Sequence, residues 1–269
     1  MNETGALPLP DLGGRTALVT GAGRGIGRAI AVDLAAAGAV VAVVARSQDQ
    51  LAGTLFEIES DSADADAAAF VRDLADLDAA GSLLPDVERE LGPIGILINN
   101  AGTVAPLGPT ESLEPSEVKH SLRLNVVAPV VLSAMAIPSM RRRGWGRIIN
   151  VSSAVVANPS AMIGGNTYTF AKSALESHTL NLAAELNGSG VTANIYRPGR
   201  VDTARQTWIH GHDPQPVGGC LVEGFRALDE FGELITPGTS ARSLVARING
   251  NQTGCVWDVA DDLTVHAAS

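Results

Sequence analysis

Tyr168 and Lys172 stand four residues apart. On a helix that spacing puts both side chains on one face, within reach of each other. A free tyrosine keeps its proton until about pH 10, too tightly for good acid–base work at neutral pH. A neighbouring ammonium favours the phenolate and brings that value down. The pair is therefore equipped to pass a proton to and from an oxygen. A second chemistry lies near the N-terminus. Thr20-Gly21-Ala22-Gly23-Arg24-Gly25-Ile26-Gly27 follows a short apolar run and opens a helical pattern. A glycine turn between strand and helix directs backbone N–H groups outward, where the helix dipole favours an anion. Glycines at 21, 25 and 27 keep the turn tight and let a pyrophosphate approach the backbone. The spacing is TGxxxGxG rather than GxGxxG, because position 26 is Ile26. A dinucleotide is the expected ligand.

The end of the next apolar run chooses between two dinucleotides. An acidic residue about 20 positions on binds a ribose 2′-hydroxyl. That place holds Ala45, Arg46 and Ser47. No carboxylate is there to repel a 2′-phosphate. Arg46 can grip one through its fork of N–H donors, and Arg24 can reach the same group. NADP(H) is the preferred cofactor and NAD(H) the alternative.

These residues need a frame. Apolar runs at 16–20, 40–44, 68–71, 94–98, 147–151, 191–196 and 254–259 alternate with helical patterns. The helices are expected at 26–37, 48–60, 77–91, 115–143, 167–186 and 236–248. Such alternation means α/β architecture: a Rossmann-like, doubly wound, seven-stranded parallel sheet with helices on both faces. Pro85 is expected to break the third helix, and Pro129 and Pro138 to bend or split the fourth. The chain reads as a single domain over 13–262, with a loose arm at 1–12 and a tail at 263–269.

Composition narrows the partners. Of 269 residues, 45% are hydrophobic, ample for one core, and the net charge is −10. That charge argues against a nucleic-acid or anionic-membrane surface. Cys220 and Cys255 form no CxxC and no disulfide framework, so a reducing compartment, the cytoplasm, is expected. The first residues carry no basic and apolar leader pattern, and no apolar run reaches bilayer length. His210, His212, Asp213 and Cys220 read as a polar loop, since structural zinc wants four ligands in closed spacing; no metal is expected. Arg141-Arg142-Arg143 read as a solvated helix end, where cations suit the dipole, rather than a docking patch for an acidic carrier protein.

The glycine turn is followed, in order, by Asn99-Asn100-Ala101-Gly102, Asn125, Ser152-Ser153, Tyr168-Thr169-Phe170-Ala171-Lys172 and Pro198-Gly199. This set resembles the short-chain dehydrogenase/reductase family over roughly residues 12 to 260. The resemblance implies a catalytic tetrad of Asn125, Ser153, Tyr168 and Lys172. Tyr168 would give a proton to a carbonyl oxygen as hydride reaches its carbon, and take it back in the oxidation direction. Ser153 would bond the same oxygen, Lys172 the nicotinamide ribose, and Asn125 a water linking Lys172 to solvent. Ser153 is preferred to Ser152 as the second serine of an N-x-S-S stretch. Its 15-residue separation from Tyr168 is slightly wide, which implies a small insertion around 157–165.

The resemblance also implies cofactor contacts from Gly21, Arg24, Gly25, Ile26, Gly27, Arg46, Ser47, Tyr168 and Lys172. Asp73 would accept from the adenine amino group, with Leu74 beside it, although a turn aspartate is an equal reading. Asn100, Ala101 and Gly102 would lie along the adenosine ribose, with Asn99 cross-linking strands. Pro198, Gly199, Val201 and Thr203 would meet the nicotinamide end. A substrate lid is implied at 204–235, where Trp208, His210, Leu221 and Phe225 are candidates. Arg200, usually apolar in the family, would meet an anionic substrate group or face outward. A homo-oligomer, dimer or tetramer, would form on the long helix and on 167–186. The implied function is an NADP(H)-dependent oxidoreductase acting on a small-molecule secondary alcohol and its ketone or aldehyde. The alternatives are a 3-oxoacyl-carrier-protein reductase and, from another class, a non-catalytic dinucleotide-binding sensor or scaffold.

Overall fold

The computed structural model describes residues 7–202 and 234–262. Their strands form one sheet: β1 (Thr16–Thr20), β2 (Val40–Ala45), β3 (Ala67–Val71), β4 (Ile94–Asn99), β5 (Gly146–Val151), β6 (Val191–Arg197) and β7 (Val256–Asp258). The order is β3-β2-β1-β4-β5-β6-β7 and every neighbouring pair is parallel. β1, β4 and β5 are buried along their whole length, as a sheet covered on both faces requires. The helices are α1 (Gly25–Ala36), α2 (Gln48–Asp61), α3 (Leu77–Leu91), α4 (Pro115–Leu122), α5 (Ala128–Arg143), α6 (Asn166–Glu185) and α7 (Pro237–Val245). On one face Ile30 and Leu34 of α1 meet Leu244 and Val245 of α7. On the other, Leu83 and Val87 of α3 meet Leu132, Ala136 and Met140 of α5. The expected doubly wound, seven-stranded sheet is the observed one.

Two proline expectations need correction. α3 runs through Pro85 unbroken. An interior proline crowds the carbonyl four residues back and deprives it of a donor. Here that residue is Gly81, with open space around it, and Pro85 lies on the exposed face, where the carbonyl can tilt to water. Pro138 likewise leaves α5 intact. The disturbance in the long helix falls one turn before Pro129, as a π-turn over Arg123–Val127 that joins α4 to α5. There the Ala128 N–H reaches back five residues to the Arg123 carbonyl. Pro129 has no N–H to give the carbonyl of Asn125, so regular α-helical pairing fails at that residue.

By length and composition the helix Pro115–Arg143 could cross a bilayer, although Asn125, Ser133 and Ser139 interrupt its apolar run. It serves as a core helix: Ala128, Leu132, Ala136 and Met140 are buried in the cluster that covers the sheet. At its end Arg141 donates to the Glu185 carbonyl at 2.9 Å, and Arg143 to Ser139 Oγ at 2.6 Å and to the Ile94 carbonyl.

α6 carries one acid-sensitive group. Burial pushes the His178 imidazole below its ordinary value, against the opposing pull of Glu185. Its Nε2 is buried without a hydrogen-bond partner. The unfolded chain therefore takes up a proton that the folded chain resists. Stability from this site is complete above about pH 6.5 and is lost as acid is added below it. Thermal melts from pH 7.5 to 5.5 should show a shallower decline in His178→Gln than in the wild type; identical slopes would refute the assignment.

Candidate active site

The glycine turn sits at the C-terminal end of β1, beside β4, where the strand order reverses. Open α/β sheets bind ligands at that point. Gly21 and Gly25 have positive φ, 67° and 57°. A Cβ on Gly27 would lie 2.3 Å from the Gly21 carbonyl oxygen, so α1 can start this close to the turn only with glycine there. Gly27→Ala should weaken NADPH binding about 10–100-fold, from the usual cost of overpacking. Fluorescence titration measures it, and unchanged affinity would contradict this use of the turn.

The turn is braced before any ligand arrives. The Thr20 hydroxyl donates to the Ile98 carbonyl at 3.2 Å and accepts the N–H groups of Asn100 and Ala101 at 3.0 Å each. The Asn100 amide donates to the Thr20 carbonyl at 2.9 Å. Arg28 of α1 donates to the Gly23 carbonyl at 2.6 Å and to Thr54 Oγ1 at 3.1 Å. Thr54, wholly buried on α2, donates to the Ala22 carbonyl at 2.9 Å. Sequence reasoning missed Arg28 and Thr54; the only trace was a polar residue inside each helical pattern.

Arg24 and Arg46 are exposed, one within the turn and the other just past β2. Ser47 caps α2, accepting the Gln50 N–H at 3.3 Å. Asp73 is exposed and its Oδ1 accepts the Ala75 N–H at 3.0 Å; Leu74 beside it is buried. The close glycine cradle and the two exposed guanidiniums fit a dinucleotide bearing an extra phosphate.

The candidate reacting group is assembled by α6, the π-turn and the end of β5. Tyr168 and Lys172 are each 3% exposed. Lys172 Nζ donates to the Val151 carbonyl at 2.8 Å and lies 5.8 Å from the Tyr168 ring centroid. Asn125, wholly buried, donates to the Thr103 carbonyl at 2.9 Å and to Ser121 Oγ at 3.1 Å, and accepts the Thr103 N–H at 3.1 Å. A Cβ on Gly102 would come within 2.7 Å of Asn125 Oδ1 and 3.5 Å of Lys172 Nζ, so Gly102 marks where the two side chains converge. π-turns recur at functional sites, and this one carries Asn125.

The two serines differ. Ser152 is buried and donates to Glu176 Oε1 at 2.7 Å. Ser153 is half-buried and accepts the Val155 N–H at 3.5 Å. Val155 packs against the small cluster of Tyr168, Val104 and Met162. Asn99 donates to Asn150 Oδ1 at 2.8 Å, the cross-link between β4 and β5. The widened stretch before Tyr168 forms short 3-10 turns at Ala154–Val156 and Pro159–Ala161. It is tied down by Gly108 N–H to the Gly164 carbonyl at 2.8 Å.

Past β6 Gly199 has φ 74°, and Val201 bridges Ile235 in parallel. That bridge uses the Arg200 carbonyl and the Asp202 N–H. Arg200 is exposed. Thr203 and the lid candidates Trp208, His210, His212, Asp213, Cys220, Leu221 and Phe225 lie outside the described residues.

The sheet order, the glycine turn at its switch point and the buried Tyr–Lys pair define a dinucleotide-binding α/β protein. A family model described as short chain dehydrogenase matches residues 15–212. The chain belongs to that family, whose members are oxidoreductases acting on CH–OH groups. A short chain dehydrogenase of Pseudocercospora fijiensis is 40% identical over 195 residues, which are 71% of this chain and 61% of that protein. Two solved structures share the fold across nearly the whole chain. One, from Beutenbergia cavernae and assigned as an NAD(P) dependent gluconate 5-dehydrogenase, holds NADP; it has 31% identity, a TM-score of 0.79 and covers 93% of this chain and 96% of that one. The other, a blue fluorescent protein from a metagenomic library in complex with NADPH, has 31% identity, a TM-score of 0.79 and covers 93% and 97%.

Proposed function

We propose that the chain is an NADP(H)-dependent oxidoreductase that interconverts a secondary alcohol and its ketone, or a primary alcohol and its aldehyde. The observation that carries this reading is the buried Tyr168–Lys172 pair, converging with Asn125 on Gly102 at the ligand-binding end of the sheet. The preference for NADP(H) is supported by exposed Arg24 and Arg46, by Ala45 where a carboxylate would select NAD(H), and by the cofactor bound in the two similar structures.

The residues divide the work. Gly21, Gly25, Ile26 and Gly27 hold the pyrophosphate, Arg24, Arg46 and Ser47 the 2′-phosphate, and Asp73 and Leu74 the adenine. Asn100, Ala101 and Gly102 line the ribose, while Pro198, Gly199, Val201 and Thr203 hold the nicotinamide end. Bound there, the cofactor supplies or accepts the hydride. Tyr168 carries the proton at its phenol oxygen and gives it to the substrate oxygen, or takes it back in oxidation. Lys172, its Nζ tethered to the Val151 carbonyl, keeps a positive charge beside the phenolate that forms and holds the ribose hydroxyls. Ser153 holds the substrate oxygen. Asn125 anchors the water through which Lys172 exchanges protons with solvent. Exposed Phe170 and Leu180 on α6 support a homo-oligomer built on that helix and α5. Among the described residues Cys255 is a free thiol, which supports a cytoplasmic site.

NADPH oxidation across ketones, aldehydes, and free and thioester-bound 3-oxo acids tests the reading. Turnover of free carbonyls supports it. A strong preference for carrier-linked substrates would favour the 3-oxoacyl reductase, although Arg141 and Arg143 already have local partners. Tight NADPH binding with no turnover anywhere would favour the sensor.

A further inference from the structure

The proton-donor face of α6 continues one turn beyond Lys172, to Glu176. There the helix meets two strand ends at once. Glu176 Oε1 accepts the Ser152 hydroxyl at 2.7 Å. Arg197, the last residue of β6, grips the same carboxylate with both ends of its fork: Nε to Oε1 at 3.0 Å and Nη2 to Oε2 at 2.8 Å. The Ser152 N–H donates to the Tyr196 carbonyl at 2.7 Å. Glu176 is 8% exposed and Ser152 2%. The ion pair pushes the Arg197 guanidinium above its ordinary value, as a bidentate carboxylate should.

An ionised carboxylate only accepts, so the direction of the Ser152 bond is dictated: the serine donates, and its hydroxyl cannot turn toward the site. Both carboxylate oxygens are held by Arg197, so the carboxylate itself cannot swing away. The next residue is Ser153, and two residues back Asn150 donates to Thr179 on the same helix at 2.8 Å. Between them Val151 takes the Lys172 ammonium. The end of β5 is thus fastened to α6 at Asn150, Val151 and Ser152, and Ser153 is the first residue beyond the clamp. Arg197 leads directly into Pro198-Gly199, so one largely buried pair ties together the serine segment, the lysine helix and the turn proposed to meet the nicotinamide.

We infer that Glu176 and Arg197 are positioning residues: through the Ser152 hydroxyl they fix the backbone from which Ser153 reaches the substrate oxygen. This rests on the oxidoreductase reading above. A misplacement of about 1 Å at such a group can cost about 10²-fold in rate. Ser152→Ala removes the tether and leaves the ion pair whole. It should lower kcat about tenfold or more, with NADPH affinity and melting temperature close to wild type. Glu176→Gln should lower kcat similarly and also melt earlier, because it leaves the half-buried Arg197 guanidinium without its charge partner.

The deciding measurement is a double-mutant cycle on kcat with Ser152→Ala and Ser153→Ala. If Ser152 acts through Ser153, the double variant is no slower than Ser153→Ala alone. Losses that multiply, or a wild-type kcat in Ser152→Ala, overturn the inference. So does a Glu176→Gln protein that melts earlier yet turns over at the wild-type rate, the signature of a purely structural pair. The parent reading is judged separately, by Tyr168→Phe in the same assay. Turnover indifferent to Tyr168 overturns that reading and this inference with it, whereas Tyr168-dependent turnover with an additive cycle overturns the inference alone.

Discussion

Replacing Tyr168 with phenylalanine should lower kcat by about 10²–10⁴-fold, the range of general acid–base contributions, while NADPH binds as before. The substitution removes one oxygen and keeps the ring. That ring is 3% exposed and packs with Val104 and Met162, contacts a phenyl group preserves. Lys172 keeps its bond to the Val151 carbonyl, so the hold on the cofactor ribose proposed for it is not expected to change. The effect therefore falls on proton transfer rather than on folding or binding. Steady-state kinetics with fluorescence titration of NADPH separates the two. Equal kcat values in wild type and variant would remove Tyr168 from the chemistry.

A second large effect is expected at the 2′-phosphate. Among the described residues neither Arg24 nor Arg46 makes an ion pair, and both are exposed beside the glycine turn. Hydrogen bonds to charged groups contribute about 1.5–3 kcal/mol each, and each 1.4 kcal/mol is tenfold. The double change Arg24→Ala with Arg46→Asp removes both donors and adds a carboxylate that repels the phosphate and can bond a ribose hydroxyl. The ratio of kcat/KM for NADPH over NADH should fall by about 10²–10⁴-fold. The wild-type KM for NADPH should also rise with salt, because exposed charges are screened. An unchanged cofactor ratio would show that selectivity lies elsewhere.

The strands were legible because a sheet buried on both faces demands continuous apolar runs, and 40–44 and 94–98 are such runs. The glycine turn and the Tyr–Lys spacing were legible because each is local, set within a few residues of chain. What sequence could not provide was long-range. Glu176 and Arg197 are 21 residues apart on different elements, and nothing in their spacing announces an ion pair. The brace of Arg28 on Gly23 and Thr54 also needs two helices to meet. The prolines misled for a related reason. Pro85 was tolerated because Gly81 and solvent absorb its defect, and Pro129 acted one turn upstream, at Asn125. The preference for Ser153 over Ser152 rests on resemblance, whereas the bond of the Ser152 hydroxyl to Glu176, 24 residues on, is visible only in the fold.

Hydride and proton are proposed to reach one carbonyl group at this site. The most direct test uses NADPH deuterated at the transferable C4 position, incubated with the carbonyl panel and followed by mass spectrometry of the alcohols. One deuterium is expected on the carbinol carbon of the product, formed by the wild type and lost with Tyr168→Phe. NADPH consumed without deuterium reaching any alcohol would contradict this proposal.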